Sequence, residues 1–381
     1  MTGPLTPEQV SLCDATAAFA RAEIAPFAQE WDRAGTIPRG VLSRAAILGL
    51  GGLSVPVEQG GSGLSRLDAT LVYEELARAC PSVAAYISIH NMCVGMVAQH
   101  GSANLRAQYL ARMIRFDAVA AYCLTEPGSG SDAAALRTHA TAQPKGWLLS
   151  GTKAFISGAN YADLYVVMCR TGAAGPSGIT ALAVPKGTTG LSFGAPEVKM
   201  GWRAQPTAEV RFDDCLVPAD HLLAAEGQGF ALAMAGLDCG RLNIAACSLG
   251  GAAQCLQIAL SYMAERTAFG RRLDQFQALQ FRLADMQTHL VSARAMLHQA
   301  ACALDEGWPD ATIQVAMAKR LCTDTGFTIA NDALQLLGGY GYLADFGIEK
   351  IVRDLRAHQI VEGTNEIMRL IISRAMLAGM P

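Results

Sequence analysis

Charge and clustered metal-binding side chains are both scarce in this sequence. Charged residues make up 17% of the 381 positions, and 30 Lys plus Arg against 33 Asp plus Glu leave a formal net charge of −3. Such a weak overall field favours neither nucleic acid nor an anionic membrane surface as a partner. Because no Cys-x-x-Cys or His-x-x-x-His spacing occurs, no metal site is expected either.

Signals for export and for disulfide formation are also missing. The eleven cysteines are scattered along the chain, and an odd, unpatterned set is typical of buried thiols in a reducing compartment. The first ten residues include Pro4 and Pro7 but neither a basic segment nor an Arg- and Ser-rich amphipathic stretch. We therefore expect a cytoplasmic protein of a bacterium, or a mitochondrial matrix protein if the chain is a processed eukaryotic one.

Two uncharged stretches, residues 79–105 and 242–264, are long enough to raise the question of a membrane span. The first contains His90 and Asn91 and the second contains Asn243, and these side chains would lack hydrogen-bond partners in lipid. We interpret both stretches as helices that are apolar on all sides and buried among other helices or subunits.

The predicted elements occur in the order helices, sheet, helices. Residues 6–116 have a helical period near 3.6, residues 120–217 contain short β-rich runs separated by turn residues, and the helical period returns after Gly229. This order predicts an α+β fold that is mainly α, unlike the alternating strands and helices of dinucleotide-binding sheets. The expected domains are an N-terminal helical domain (1–119), a middle β domain (120–225) and a C-terminal helical bundle domain (226–381).

A segment rich in glycine and hydroxyl groups begins the β-rich region. Its sequence is Tyr122-Cys123-Leu124-Thr125-Glu126-Pro127-Gly128-Ser129-Gly130-Ser131-Asp132. Glycines let backbone N–H groups approach a flat or anionic ligand, and hydroxyls supply directed hydrogen bonds. Composition alone nevertheless favours a plain turn between a helix and a strand.

Four more segments support a binding function, because together with residues 122–132 they resemble the ordered motifs of acyl-CoA dehydrogenases. They are Gly151-Thr152-Lys153-Ala154-Phe155-Ile156-Ser157, Glu265-Arg266-Thr267-Ala268-Phe269-Gly270, Gln335-Leu336-Leu337-Gly338-Gly339-Tyr340-Gly341 and Glu362-Gly363-Thr364-Asn365-Glu366. The resemblance covers essentially the whole chain. It implies helical, β and four-helix-bundle domains in that order, with FAD held between the subunits of a homotetramer. It also implies an acyl-CoA substrate and electron-transfer flavoprotein as electron acceptor.

The resemblance assigns the cofactor-binding residues. The backbone near Leu124 and the hydroxyls of Thr125 and Ser157 would bond to the isoalloxazine edge. Phe155, where many relatives have Trp, would pack against the ring. Arg266 would neutralise the pyrophosphate from a neighbouring subunit, although an arginine in a helical bundle can also be simply a solvated charge. The other implied cofactor contacts are Ile156 in the same strand, Phe269, Gln335, Gly338 and Gly339 near the pyrophosphate, and Thr364 and Glu366 at the adenosine end.

Glu362 is the expected catalytic base. A hydrogen α to a thioester is a weak acid, so its removal needs a desolvated carboxylate and stabilisation of the enolate oxygen. The resemblance places Glu362 over the α-carbon. Its own N–H and a ribityl hydroxyl of FAD would donate to the thioester oxygen, and flavin N5 would accept the β-hydride. Burial near Ile360 and Val361 should raise the pKa of Glu362 towards neutrality. On residue chemistry alone, a Glu before Gly-Thr could equally start the helix that follows.

Other positions match residues that contact the substrate in relatives. Asp238 and Arg241 match residues that meet the pantetheine chain and support the active-site loop, although they could also form a purely structural ion pair. Ser131 matches a substrate-contacting serine, and Gly363 beside the base completes the set. In some subgroups the base lies on another helix just before an arginine, but that position is Gly240 here.

Segments outside the flavin signature indicate the acyl group. Residues 60–68, 85–93, 165–172 and 241–250 resemble the branch of the family that oxidises isobutyryl-CoA to methacrylyl-CoA in valine degradation. Because one methylene changes discrimination by only about 1 to 3 kcal/mol, 2-methylbutyryl-CoA and butyryl-CoA are alternative substrates, and an oxidase that reduces oxygen is an alternative activity. A DNA-binding member of the superfamily is a remote alternative, since residues 226–381 carry 15 acidic and 13 basic side chains.

Overall fold

The computed structural model describes residues 5–379, and this part of the chain begins with helices. Thr6 caps the first helix, because its hydroxyl accepts a hydrogen bond from the N–H of Gln9 and the Gln9 side chain accepts one from the N–H of Thr6. The N-terminal helices are α1 (Pro7–Phe19), α2 (Ala28–Ala34), α3 (Arg39–Ile47), α4 (Arg66–Ala79), α5 (Pro81–His100) and α6 (Ala103–Ile114).

A mixed sheet follows the helices. Its strands are β1 (Ala120–Cys123), β2 (His139–Gln143), β3 (Gly146–Ser157), β4 (Leu164–Arg170), β5 (Ile179–Pro185), β6 (Leu191–Phe193), β7 (Thr207–Pro218) and β8 (Leu222–Leu223). They lie in the order β6-β7-β3-β2-β4-β5-β8, and β1 pairs in parallel with β4. β4 and β5 are buried along nearly their whole length, which explains their continuous apolar runs.

The C-terminal region is built on α7 (Gly229–Glu265), which contacts α4, α5, α8 and α9. A small hairpin of β9 (Thr267–Ala268) and β10 (Arg271–Arg272) follows it. The remaining helices are α8 (Gln277–Asp305), α9 (Ala311–Leu336), α10 (Ile348–His358) and α11 (Asn365–Leu377). The largest apolar cluster joins α4, α5 and the C-terminal helices into one core.

Two helices, α5 and α7, are long and apolar enough to cross a membrane by length and composition. Within the protein, 83% and 72% of their most apolar windows are buried, so neighbouring elements cover most of their apolar surface, as expected for helices that are apolar all round. All eleven cysteines are free thiols. In residues 5–379, no group of three or more His, Cys, Asp or Glu could hold a metal ion.

Candidate active site

The carboxylate expected to be the base lies in the turn between α10 and α11. Thr364 caps α11, since its hydroxyl accepts from the N–H of Ile367 at 3.4 Å. Glu362 therefore does not start this helix, which was the alternative left open by the sequence. Glu362 and Gly363 both have left-handed backbones, with φ of 60° and 88°. A glutamate in this conformation is strained, so surrounding contacts must hold the turn.

The carboxyl group of Glu362 is enclosed, although the residue as a whole is partly accessible. Its Oε2 is shut off from solvent and has no hydrogen-bond partner within residues 5–379. Burial raises the pKa of Glu362 to about 7, and the positive charges of Arg241 and Lys319 oppose this rise. Protonated and ionised forms are therefore both populated near neutral pH.

Gly240 on α7 lies against the carboxyl group, whereas Ile360 and Val361 were the two residues expected to enclose it. A β-carbon at Gly240 would lie 2.6 Å from Cδ of Glu362 and 2.7 Å from its Oε1, so only glycine leaves room for the carboxyl group here. Ile360, which the sequence suggested as part of the enclosure, is 52% exposed. Val361 is partly buried against a small cluster of apolar side chains.

Two buried cations from different helices hold the turn. Arg241 on α7 donates from Nε to the carbonyl oxygen of Glu362 at 3.0 Å. Lys319 on α9 donates from Nζ to the carbonyl oxygen of Gly363 at 2.8 Å. Arg241 also forms an ion pair with Asp238 at 2.7 Å. The same arginine thus makes the structural ion pair and contacts the active-site loop.

Two polar groups near this carboxylate lack partners in the protein. In the described part of the chain, the backbone N–H of Glu362 donates no hydrogen bond. The hydroxyl of Tyr122 on β1 is buried and also unpaired within residues 5–379. Burial, with a smaller contribution from Glu362, raises the pKa of Tyr122 well above its usual value, so the phenol stays neutral. Unpaired donors beside a buried carboxylate are suited to a polar ligand.

The two segments expected to bind flavin are joined to each other. Lys153 on β3 is wholly buried, and its Nζ donates to the carbonyl oxygen of Leu124 at 2.9 Å and to the Glu126 carboxylate at 2.8 Å. Glu126 accepts two further hydrogen bonds from backbone N–H groups. The N–H of Ala154 donates to the carbonyl oxygen of Thr125 at 2.9 Å. These contacts fix the loop after β1 against β3.

Phe155 lies on a bulge of β3. The pairing of β3 with β7 shifts register between Lys153 and Ile156, and Phe155 has a φ of 57° there. Its side chain is 66% exposed, whereas Ile156 is buried in the sheet core, so only the backbone of Ile156 could reach a ligand. Thr125 and Ser157 are partly accessible. An exposed ring between accessible hydroxyls is suited to a flat, polar-edged ligand.

Four residues expected near a pyrophosphate line one surface cleft at the end of α9. They are Arg266, Gln335, Gly338 and Gly339. Arg266 is exposed, and its Cζ lies 5.6 Å from the centre of the Tyr340 ring. Arg266 is therefore solvated, as expected if it has no binding role. It also lies beside the other residues expected to bind the pyrophosphate.

The remaining predicted residues lie at the surface or at the ends of elements. Phe269 is at the tip of the β9–β10 hairpin and is 96% exposed. Glu366 is exposed in the first turn of α11, one turn from the enclosed Glu362. Ser131 is exposed in the loop before β2. These positions are accessible to a ligand or to a second chain.

A partly open cavity of about 120 Å³ lies between α4, α5 and α7. Its wall includes Asn243 and also Cys239, one residue before the contact between Gly240 and Glu362. The amide of Asn243 donates to the hydroxyl of Ser88 at 3.0 Å and so bonds α7 to α5. This cavity is therefore small and has both apolar and polar residues in its wall.

Comparison with known proteins identifies the family. Residues 6–117, 121–215 and 227–377 match the N-terminal, middle and C-terminal domains of acyl-CoA dehydrogenases. A relative named mitochondrial isobutyryl-CoA dehydrogenase, from Bos taurus, is 50% identical over 359 residues, which are 94% of this chain and 86% of the relative. The chain belongs to the acyl-CoA dehydrogenase family.

Solved structures agree with membership of the acyl-CoA dehydrogenase family. Butyryl-CoA dehydrogenase from Megasphaera elsdenii matches with a TM-score of 0.95 and 35% identity, over 99% of this chain and 100% of that one. A structure of PigA with FAD and proline matches with a TM-score of 0.94 and 29% identity, over 99% of each chain. The expected fold, the FAD cofactor and the class of enzyme are confirmed.

The chain offers FAD a fitting surface. One local structure contains the exposed Phe155 on its bulge, the accessible hydroxyls of Thr125 and Ser157 and the loop fixed by Lys153. The sequence did not indicate that Lys153 fixes the flavin loop or that Lys319 holds the turn after Glu362, because a lone lysine in a strand or an Ala-rich helix is ordinarily a solvated charge. For Lys319, the available signal was its place among the apolar residues of α9.

Proposed function

We propose that this acyl-CoA dehydrogenase oxidises a short branched acyl-CoA, isobutyryl-CoA to methacrylyl-CoA, and that Glu362 removes the α-proton. The observation that carries the proposal is the enclosed carboxyl group of Glu362, whose Oε2 has no partner among residues 5–379 and whose pKa is raised to about 7. A desolvated carboxylate with a raised pKa is a stronger base than one in water.

The first step of the proposed reaction is transfer of the α-proton to Glu362. A proton leaves the α-carbon of the thioester for a carboxylate oxygen of Glu362. The electron pair of that C–H bond, stabilised by the thioester carbonyl, forms the Cα=Cβ double bond as the hydride leaves the β-carbon. The unpaired N–H of Glu362 can donate to that carbonyl oxygen and stabilise the developing charge. FAD, when bound, supplies the acceptor for the hydride that leaves the β-carbon.

The binding residues remain those expected from the sequence. Ser131, Asp238, Arg241 and Gly363 would contact the acyl-CoA. The residues proposed to hold FAD are Leu124, Thr125, Phe155, Ile156 and Ser157 at the ring, and Arg266, Phe269, Gln335, Gly338, Gly339, Thr364 and Glu366 at the pyrophosphate and adenosine. As the family resemblance implies, we propose that FAD is shared between subunits of a homotetramer.

Two observations support a short acyl group. The cavity between α5 and α7, whose wall includes Cys239 and Asn243, measures only about 120 Å³, and the hydrogen bond between Asn243 and Ser88 joins the two helices. We propose that the acyl group occupies this cavity, where a long chain would break the bond and leave buried polar groups unpaired. The 50% identity to a relative named isobutyryl-CoA dehydrogenase supports the branched substrate.

The cellular context is proposed on the same basis. We propose electron-transfer flavoprotein as the electron acceptor. We propose a location in the bacterial cytoplasm, or in the mitochondrial matrix if the chain is a processed eukaryotic one. We place the domain boundaries after residues 119 and 225, in the segments between α6 and β1 and between β8 and α7.

The test is anaerobic mixing of the FAD-containing enzyme with isobutyryl-, 2-methylbutyryl-, isovaleryl- and butyryl-CoA, with bleaching of the flavin absorbance as the readout. We expect the largest kcat/KM with isobutyryl-CoA. A larger value with any of the other three would overturn the substrate assignment. Reoxidation by electron-transfer flavoprotein and by oxygen is then compared, and faster reoxidation by oxygen would identify an oxidase.

A further inference from the structure

Lys319 makes contacts on both sides of the cap of α11. Its side chain is wholly buried, and its Nζ donates to the carbonyl oxygen of Gly363 at 2.8 Å and to Oδ1 of Asn365 at 3.0 Å. Asn365 is itself buried, and its Nδ2 donates to Oγ1 of Thr323 at 2.9 Å and to Oδ1 of Asp324 at 2.7 Å. One turn of α9 is thus hydrogen-bonded to the segment that follows Glu362.

The contact with Gly363 complements the contact made by Arg241. Arg241 bonds to the carbonyl oxygen of Glu362 and Lys319 to the next carbonyl oxygen along the chain. The two cations come from α7 and α9, which pack against each other. Between them lies a turn in which two successive residues have positive φ. Removing one cation would release one side of a strained backbone.

We propose that Lys319 is a positioning residue for proton abstraction, which holds the turn beside Glu362 through its hydrogen bonds to Gly363 and Asn365. The proposal rests on the proposed role of Glu362 as the base. Lys319 acts through Glu362 and the backbone of the turn.

The charges near Glu362 support this role. Burial raises the pKa of Glu362, and Arg241 and Lys319 are the groups that lower it. Burial lowers the pKa of Lys319 to about 7, with Glu362 as the largest opposing contribution. Arg241 already shares its charge with Asp238. The other titratable groups that interact with Glu362 or Lys319 are Cys93 on α5, Tyr122 on β1, Cys239 and Cys247 on α7, Asp324 on α9, His358 on α10 and Glu366 on α11.

Neutral neighbours cannot replace the charge of Lys319. Burial raises the pKa of Cys93, Cys239, Cys247 and Tyr122, so these groups carry no charge near neutral pH. Burial lowers the pKa of His358 to about 3, so it is neutral as well. Lys319 is mostly protonated below its pKa of about 7, so replacing it by a neutral residue should raise the pKa of Glu362 further and move the acid limb of the reaction to higher pH.

Three substitutions separate charge from hydrogen bonding. Lys319→Met removes both, Lys319→Gln keeps an uncharged donor of shorter reach, and Lys319→Arg keeps the charge. The rate of flavin reduction by isobutyryl-CoA is measured anaerobically against pH. We expect Lys319→Met and Lys319→Gln to shift the acid limb up by about one pH unit, so that the rate below the limb falls about tenfold. In Lys319→Arg the acid limb should stay near its wild-type pH.

A second readout follows Glu362 without turnover. The carbonyl stretch of the protonated carboxyl group is assigned in infrared difference spectra by its loss in Glu362→Gln, and its titration midpoint is then compared between wild type and Lys319→Met. The midpoint should rise in the variant. The same comparison with Lys319→Gln serves if Lys319→Met does not fold.

Lys199 offers a matched control. Its Nζ donates to the carbonyl oxygen of Gln205 and to Oγ1 of Thr207, and burial lowers its pKa to about 8, yet it does not contact the turn at Glu362. Lys199→Met should leave the acid limb and the infrared midpoint unchanged. An unshifted midpoint in both Lys319→Met and Lys319→Gln would overturn the inference. If Glu362→Gln reduced flavin at the wild-type rate, the proposed base itself would be wrong, so the two failures are distinguishable.

Discussion

The carboxyl group of Glu362 lies against Gly240 at a point where α7 has no room for a β-carbon. The glycine therefore does more than leave this helix without a competing base. It creates the space in which the carboxylate is enclosed, and the enclosure raises the pKa of Glu362 to about 7. The contact between Gly240 and Glu362, which are 122 positions apart, thus makes the pKa of Glu362 depend on the residue that α7 places there.

Gly240→Ala should displace the carboxyl group. The added methyl would lie 2.6 Å from Cδ of Glu362, so the carboxyl end of this side chain must move away from α7. We expect flavin reduction by isobutyryl-CoA to fall at least about tenfold, with FAD retained, as measured by stopped-flow absorbance.

Gly40→Ala in α3 is the matched control for this substitution. A β-carbon at Gly40 would meet only the flexible end of Arg44, at 3.4 Å, so the variant should be as active as wild type and up to about 1 kcal/mol more stable. Wild-type flavin reduction in Gly240→Ala would show that the enclosure is unimportant.

Ionisation of Glu362 should destabilise the folded protein. Its pKa is raised from 4.5 to about 7 on folding, so the native state binds the proton more tightly and loses stability as pH rises through this window. Glu362→Gln removes that cost. We expect its unfolding temperature to exceed that of wild type at pH 8 and to match it near pH 5. An equal difference at both pH values would contradict the raised pKa.

The ion pair between Lys153 and Glu126 should be required for flavin binding. Lys153→Met leaves the buried Glu126 carboxylate without its cation and releases the carbonyl oxygen of Leu124. Loss of one partner of a buried pair costs about 3 to 5 kcal/mol. We expect a lower unfolding temperature and loss of FAD on gel filtration, read from the flavin-to-protein absorbance ratio.

The double variant Lys153→Met with Glu126→Gln tests the cause of that loss. It should recover part of the stability, since no unpaired charge remains buried. A double variant less stable than Lys153→Met would indicate that the two side chains act independently.

The bond between Asn243 and Ser88 should limit acyl-chain length. Asn243→Ala removes the bond and widens the cavity wall. We expect the kcat/KM ratio of hexanoyl-CoA to isobutyryl-CoA to rise about tenfold, with a stability loss of about 1 to 3 kcal/mol from the unpaired Ser88 hydroxyl. Ser88→Ala breaks the same bond with less change in volume and should have a smaller effect. An unchanged ratio in both variants would place the acyl group elsewhere.

The order of elements and the flavin segments could be predicted from the sequence because they depend on local patterns. The helical period before residue 116 and after Gly229 reflects burial that alternates with the period of the helix. The continuous apolar runs of β4, β5, α5 and α7 reflect burial on all sides. The position of Glu362 before α11 followed from an ordered set of motifs.

Contacts between distant positions could not be predicted in this way. The sequence shows Gly240 only as a residue that is not a base, and its contact with Glu362 depends on how α7 packs beside the turn. Lys319 and Lys153 are single charges whose burial depends on acceptors far along the chain. Ile360 was expected to enclose the base and is exposed, because the turn directs its side chain away from the core.

The most direct test of the central claim is the rate of flavin reduction in Glu362→Gln. The amide is nearly the same size as the carboxyl group but cannot accept the α-proton. We predict that the variant retains FAD and binds isobutyryl-CoA, while the first-order rate of flavin bleaching in anaerobic stopped flow falls by about a hundredfold or more. A rate within about threefold of wild type would show that Glu362 is not the base.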